Sequence, residues 1–270
     1  MTTHYARFVV PGTDVVQWGR VEGLGTPDAR LVPVVGPIPG PLTPTEKPSV
    51  PLADVQLLAP VTPSKVVGIG TNYRAHAAEM GRAIPPVPKV FLKPATAVIG
   101  PGQAIEVPPV TTRVDHEAEL AVVIGKKATR VSKADALQHV FGFTVCNDIT
   151  ARDFQRTDGT FARGKGFDTF CPLGPWVTVG LDFANVAVQG RVNGTLRQDG
   201  HTSDLIFDVS TLVSFVSHVM TLLPGDVIST GTPFGVGPLV AGDRVVVSVE
   251  GIGSLENPVV DRADRKAPSA

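Results

Sequence analysis

The segment Asp115-His116-Glu117-Ala118-Glu119-Leu120-Ala121-Val122-Val123-Ile124-Gly125 sets two glutamates two residues apart at the head of an apolar run. The run is rich in β-branched and aliphatic residues and predicts a strand entering a buried sheet. Along a strand, residues i and i+2 share a face, so the Glu117 and Glu119 carboxylates would project side by side from an apolar element. Like charges in a poorly solvated place repel. Both stay ionised only beside a cation, or one takes up a proton. A hard divalent metal with oxygen ligands meets that need; two solvated carboxylates at a strand end are the plain alternative. Asp148, in Cys146-Asn147-Asp148-Ile149-Thr150-Ala151-Arg152-Asp153, is a third carboxylate where a strand is expected to give way to a short helix. It is a helix cap or a third ligand. Three oxygen donors leave positions open for water and substrate, as Mg2+ or Mn2+ sites do.

His76 and Glu79 stand at i and i+3 in a stretch compatible with a helix, where they share a face. A carboxylate beside an imidazole fixes its tautomer and raises its basicity, which makes a general base; a solvated helix face is the alternative. Lys93, Arg152 and Lys165 lie in apolar or glycine-rich surroundings and would offset the charge of a carboxylate site facing an acidic substrate. Thr230-Gly231-Thr232-Pro233-Phe234-Gly235-Val236-Gly237-Pro238 is a glycine-rich turn of the kind that presents backbone N–H groups to anions. Gly68-x-Gly70 lacks the third glycine of a dinucleotide loop, and no Cys/His set has zinc spacing.

The elements that must hold these groups follow from the pattern. His4 to Val10 and Val15 to Glu22 both alternate and read as a hairpin around Pro11-Gly12. The proline-rich passage Pro33 to Pro51, with Pro37-Ile38-Pro39-Gly40-Pro41, reads as an extended connector that cannot be a central strand. Core strands are expected at Lys65–Gly70, Val90–Lys93, Phe141–Asn147, Trp176–Val179, Ala187–Val192, Asp226–Thr230, Arg244–Glu250 and Ser254–Val259. Helices are expected at Asn72–Arg82 with Asn72 as cap, at Ser132–Val140 with Ser132 as cap, over Ile149–Gln155, and as the longest one at Asp204–Leu223. Asn193-Gly194 is a hairpin turn signal. Strands outnumber helices without alternating with them, which predicts an α+β fold. Residues 1–60 are expected to form a small N-terminal β domain with its connector, 61–262 the catalytic domain, and 263–270 a polar tail.

The 270 residues are 43% hydrophobic with formal net charge −1. That balance offers nucleic acid no basic stripe, and no apolar run is long enough to cross a membrane. The polar N-terminus does not read as a signal peptide. Two cysteines in a chain this long fit a reducing cytoplasm better than a disulfide scaffold.

In combination these motifs resemble the fumarylacetoacetate hydrolase family: Glu117-x-Glu119 on a strand, Asp148-x-x-Ala151-Arg152-Asp153 about thirty residues on, Lys165 downstream, and Thr230-Gly231-Thr232-Pro233-x-Gly235-Val236-Gly237-Pro238. Asn72-Tyr73-Arg74-Ala75-His76 and Phe91-Leu92-Lys93-Pro94 extend the match over roughly residues 62 to 260. Asp115-His116 departs from many relatives. The resemblance implies a β-rich mixed β-roll, usually a homodimer, and an Mg2+ or Mn2+ site of Glu117, Glu119 and Asp148. It implies His76 with Glu79 as the water-activating pair, and Lys93, Arg152, Gln155, Lys165 and Thr232 as substrate-pocket positions. The implied substrates are small 2-oxo or 2-hydroxy dicarboxylic acids. The expected reaction is hydrolysis of a C–C bond in an acylpyruvate, with Lys165 stabilising the pyruvate enolate. Oxaloacetate-type decarboxylation and isomerisation of 2-hydroxyhepta-2,4-diene-1,7-dioate are alternatives. A non-catalytic β-rich binding protein with a structural Ca2+ is the reading of another class.

Overall fold

A computed structural model describes residues 2–36, 39–40 and 42–262. The polar tail lies outside the described residues, as do Pro37, Ile38 and Pro41 of the proline-rich passage. The described residues are β-rich and contain four short helices: α1 (Arg74–Glu79), α2 (Arg152–Thr157), α3 (Ala162–Lys165) and α4 (Val209–Val219). A thirteen-stranded mixed sheet forms the centre. Its middle runs Thr3–Val9, Cys171–Val179, Val140–Asn147, Ala118–Ile124, Val227–Ser229, Val66–Gly70, Lys89–Lys93. Neighbours in that row are antiparallel except Val227–Ser229 and Val66–Gly70, which run parallel. The Thr3–Val9 strand pairs with Cys171–Val179, so the sheet continues from the N-terminal strands into the rest of the chain.

A five-stranded sheet, ordered Ile105–Val107, Gly253–Asp261, Arg244–Val249, Ala187–Val192, Thr195–His201, packs over the central strands. The Ala118–Ile124 strand is buried on both faces. Leu120 and Val122 enter one apolar cluster with Val188, Val245 and Val247; Ala121 and Val123 enter another with Cys146, Cys171 and Val227. That two-sided burial explains why its sequence after Glu119 is continuously apolar instead of alternating.

Several local expectations are corrected. The proline-rich passage contributes the Arg30–Val35 strand, which pairs Pro33 opposite Gly19 and has the short Thr43–Pro44 and Val50–Pro51 strands on its other side. Pro33's carbonyl accepts from Thr45 N–H, so its nitrogen also faces that side, away from Gln17–Glu22. No hydrogen bond to that neighbour is lost, which is how proline is tolerated there. Asn72 does not cap α1. Its side chain bridges Thr230 and Phe207, tying the helix entry to the Thr230 loop. Ser132–Val140 is a 3-10 turn at Ala136–His139 only. The longest helix is Val209–Val219, opened by Asp208, whose side chain accepts from Thr211 N–H at 2.7 Å. Its early boundary fails because the Asp208 cap starts a new element after a separate turn at Thr202–Asp204.

Candidate metal centre

Glu117 and Glu119 do not share one strand. The chain passes at Glu117 from Val114–His116, in a separate three-stranded sheet, into Ala118–Ile124 of the main sheet. Side-by-side projection from i and i+2 is therefore corrected to convergence at a break between sheets. The break is pinned to the neighbouring strand: Glu117 N–H donates to Asn147 Oδ1 at 3.0 Å, and Asp148 N–H donates to the Glu117 carbonyl at 2.9 Å. Antiparallel pairing of Ala118 with Asn147 thereby delivers Asp148 beside both glutamates. One carboxylate oxygen from each of the three residues lies within 4.8 Å of the others, and all three residues are buried.

Cations close around this cluster. The Lys165 ammonium donates to Glu117 Oε2 at 2.8 Å, to Thr150 Oγ1 at 2.9 Å and to Asp148 Oδ2. Lys93, wholly buried, donates to Asp148 Oδ1 at 2.5 Å and to the Ile149 carbonyl at 3.1 Å. Arg152 spans Asp115 (2.8 Å), Glu117 (2.6 Å) and Gln155 Oε1 (3.1 Å), while Arg113 chelates Asp115 from outside. Burial alone would raise the Glu117 carboxyl; Lys165 and Arg152 outweigh it and hold the group well below the usual range. Burial, then Asp148, pushes Glu119 the other way, well above its usual value. Glu119 takes hydrogen bonds only on Oε2, from Ser229 Oγ (2.5 Å) and Gly231 N–H (2.9 Å). Its Oε1 has no partner among the described residues. An all-oxygen donor set with one under-compensated carboxylate fits a hard divalent cation.

Glycines make room for this packing. A Cβ at Gly164 would meet the Ala151 carbonyl at 2.9 Å and Gln155 N at 3.0 Å, so this glycine admits close approach of α3 to α2, while one at Gly166 would meet the Ala162 carbonyl of α3 itself at 2.5 Å. Gly68 faces Phe91, whose ring a Cβ would overlap, and Lys165 Nζ stands 4.8 Å above that ring. The Gly68-x-Gly70 pair thus serves aromatic packing on the chamber wall.

His76 Nδ1 lies 2.8 Å from Glu79 Oε2, and Glu79 Oε1 accepts from Gly235 N–H at 3.0 Å. The glycine-rich loop therefore binds a carboxylate of the protein itself. His76, Glu117, Glu119, Arg152, Gln155, Lys165 and Thr232 all line one narrow chamber. Lys93 does not line it and sits behind Asp148. A larger, open cleft, about 700 Å³, lies elsewhere between His4 and Ser248–Ser254 and holds no comparable cluster of charges.

Sequence reasoning missed Asp115 as the partner shared by Arg113 and Arg152, Ser229 as the donor to Glu119, and Gln198. A signal existed for the last: on an alternating hairpin strand, Gln198 occupies an inward position where an apolar residue is expected.

A family model described as "Fumarylacetoacetate (FAA) hydrolase C-terminal" matches residues 65–260, and one described as "Rv2993c-like, N-terminal" matches residues 3–60. The crystal structure of a 5-carboxymethyl-2-hydroxymuconate delta-isomerase from Mycobacterium smegmatis is similar over 96% of this chain and 100% of that one. Its TM-score is 0.89 and its identity 47%. The oxaloacetate tautomerase YisK of Bacillus subtilis is 46% identical over 223 residues, 77% of this chain and 74% of that protein. A fumarylpyruvate hydrolase from Pseudomonas aeruginosa, solved with Mn2+ and pyruvate, has TM-score 0.71 and 34% identity over 77% of this chain and 92% of that one.

Proposed function

Because this chain belongs to the fumarylacetoacetate hydrolase family of enzymes, we propose that it is a divalent-metal-dependent hydrolase cleaving a C–C bond in a 2-oxo acid of acylpyruvate type. The observation carrying this reading is that His76, paired with Glu79, lines the same chamber as Glu117 and Glu119. An Mg2+ or Mn2+ ion held by Glu117, Glu119 and Asp148 would supply Lewis acidity toward the oxygens of the 2-oxo acid. Lys93, Lys165 and Arg152 balance the three carboxylates, so a divalent charge leaves the chamber positive and suited to a dicarboxylic acid. Arg152, Gln155 and Thr232 line the chamber where substrate oxygens would sit. With Nδ1 donating to Glu79, His76 presents Nε2 as the acceptor for a proton from water, and the resulting hydroxide attacks the distal carbonyl. Cleavage leaves an enolate, whose oxygen the Lys165 ammonium stabilises. We further propose a cytoplasmic homodimer. Among the described residues no helix is long and apolar enough to cross a membrane.

A second reading is keto–enol tautomerisation or decarboxylation of an oxaloacetate-like acid, favoured by the 46% identity to a tautomerase. Both share the enolate and need no attacking water. His76→Ala separates the reactions: acylpyruvate hydrolysis should fall about 10²–10⁴-fold, the usual range for general-base help. Oxaloacetate decarboxylation should stay within about tenfold, since Lys165 still stabilises the enolate. Tautomerisation tracking the loss of hydrolysis would make His76 a proton shuttle at carbon. Intact hydrolysis in His76→Ala would remove the pair from the mechanism.

A further inference from the structure

Gln198 lies on the Thr195–His201 strand of the five-stranded sheet, an element that contributes nothing to the chamber wall. It is fully buried, and its amide makes four hydrogen bonds. Oε1 accepts from Ala118 N–H at 2.9 Å and meets His116 Nδ1 at 2.9 Å. Nε2 donates to Thr232 Oγ1 at 2.7 Å and to the Pro233 carbonyl at 2.9 Å. A backbone N–H at one end and a carbonyl at the other fix the amide's orientation, so His116 Nδ1 is the protonated ring nitrogen. His116 and Ala118 flank Glu117. Thr232 and Pro233 belong to the loop whose Gly231 N–H holds Glu119 and whose Gly235 N–H holds Glu79. Thr232 Oγ1 closes the circuit by donating to the Ala118 carbonyl at 2.9 Å.

The surroundings are cut to admit this side chain. Gly190 stands opposite Gln198 in register, and a Cβ there would come within 3.0 Å of Oε1. A Cβ at Gly200 would meet Pro233 Cβ at 2.4 Å, and one at Gly235 the Arg197 carbonyl at 2.0 Å. The loop therefore lies directly on the hairpin strand.

We propose that Gln198 is a positioning residue. From outside the chamber it sets the spacing between the Glu117–Glu119 segment and the Thr232–Gly235 loop. It thereby tunes the affinity of the carboxylates for a divalent ion and, through Gly235 and Glu79, the placement of His76. The inference rests on the reading that Glu117, Glu119 and Asp148 hold that ion. Partners that orient metal ligands without touching the metal are worth about 10–100-fold in affinity or activity.

The test compares Gln198→Met, close in shape but lacking both polar ends, with Val188→Ala, a buried change in the same sheet that lines no part of the chamber. Both are titrated with Mg2+ and Mn2+ by calorimetry at temperatures where each is fully folded. Gln198→Met should bind either ion about 10–100-fold more weakly, and Val188→Ala as wild type does. The kcat of Gln198→Met should also fall, non-additively with Thr232→Val, because both act through one hydrogen-bond circuit. Undiminished metal affinity in Gln198→Met, or equal weakening in both variants, overturns the proposal. If Gln198→Met does not fold, Gly190→Ala decides, since it presses on Oε1 without removing a bond: severalfold weaker binding supports the proposal and wild-type binding overturns it. A wild-type chain that binds neither ion would instead bring down the metal reading and this inference together.

Discussion

The strand Val227–Ser229 has an acidic group at each end, and the two are treated in opposite ways. Asp226, just before it, is completely buried and fully satisfied. Oδ1 accepts from Ser64 N–H (3.0 Å), Ser64 Oγ (2.6 Å) and Lys65 N–H (3.2 Å), and Oδ2 from Leu223 N–H (2.8 Å) and the Lys65 ammonium. Burial would raise its carboxyl, but Lys65 and these donors hold it below the ordinary value. At the far end Ser229 and Gly231 give Glu119 two donors on one oxygen, and the nearest charges include two more carboxylates. Glu119 is pushed up where Asp226 is pulled down. A buried acid whose lone pairs are all met is part of the scaffold. One crowded by its own kind, with an oxygen left over, marks a place where something else must bind.

Substitutions at the two ends should therefore fail differently. The largest effect is expected for Glu119→Gln. Divalent-ion affinity should drop by more than about 100-fold, beyond the reach of changes that only orient ligands, and turnover should fall to background. The melting temperature without metal should hold or rise, because no ion pair is broken and like-charge crowding is relieved. Unchanged activity in this variant under calorimetrically verified metal loading would erase the contrast between the two ends.

Lys165→Met comes next. If the ammonium stabilises developing enolate charge, kcat and kcat/KM should fall together by about 10²–10³-fold. A rise in KM alone would reduce Lys165 to uniform substrate binding.

Asp226→Asn should leave turnover per folded molecule unchanged and cost about 1–3 kcal/mol of stability, a buried charge-assisted network partly exposed through Lys65. In a thermal melt that is about 2–4 °C per kcal/mol for a domain of this size. Lost activity at full folding would show that the scaffold end communicates with the site. The smallest effect is the pH dependence of the same carboxylate. Its folded value lies below its unfolded one, so its contribution is present above about pH 4 and is lost as pH falls through the folded value. Melting temperature should thus fall less steeply with acid in Asp226→Asn than in wild type, and parallel curves would refute the assignment.

The carboxylates, cations and histidine were legible in the sequence because each sits in an apolar or glycine-rich context that singles it out. Glu117 and Glu119 head an uncharged run, Lys165 stands between two glycines, and His76 and Glu79 have helical spacing. The partners that compensate them were not. Asp115 looks like a surface acid beside Arg113 until Arg152 arrives from 37 residues away. Lys93 and Asp148 are 55 residues apart, and Gln198 and Ala118 are 80.

Local chemistry in the chain determined the strand content, most strand positions, the Asn193-Gly194 turn and the residue types of an acidic site. Those follow from periodicity and propensity, which act over a few residues. The tertiary structure decided where the strand carrying the glutamates breaks, that Pro33 may sit in a strand, that Asn72 ties two loops instead of capping a helix, and which carboxylate is left under-compensated. These depend on how far a charge lies from water and from charges distant in sequence. Burial and long-range pairing set both, and neither is written in the spacing of neighbouring residues.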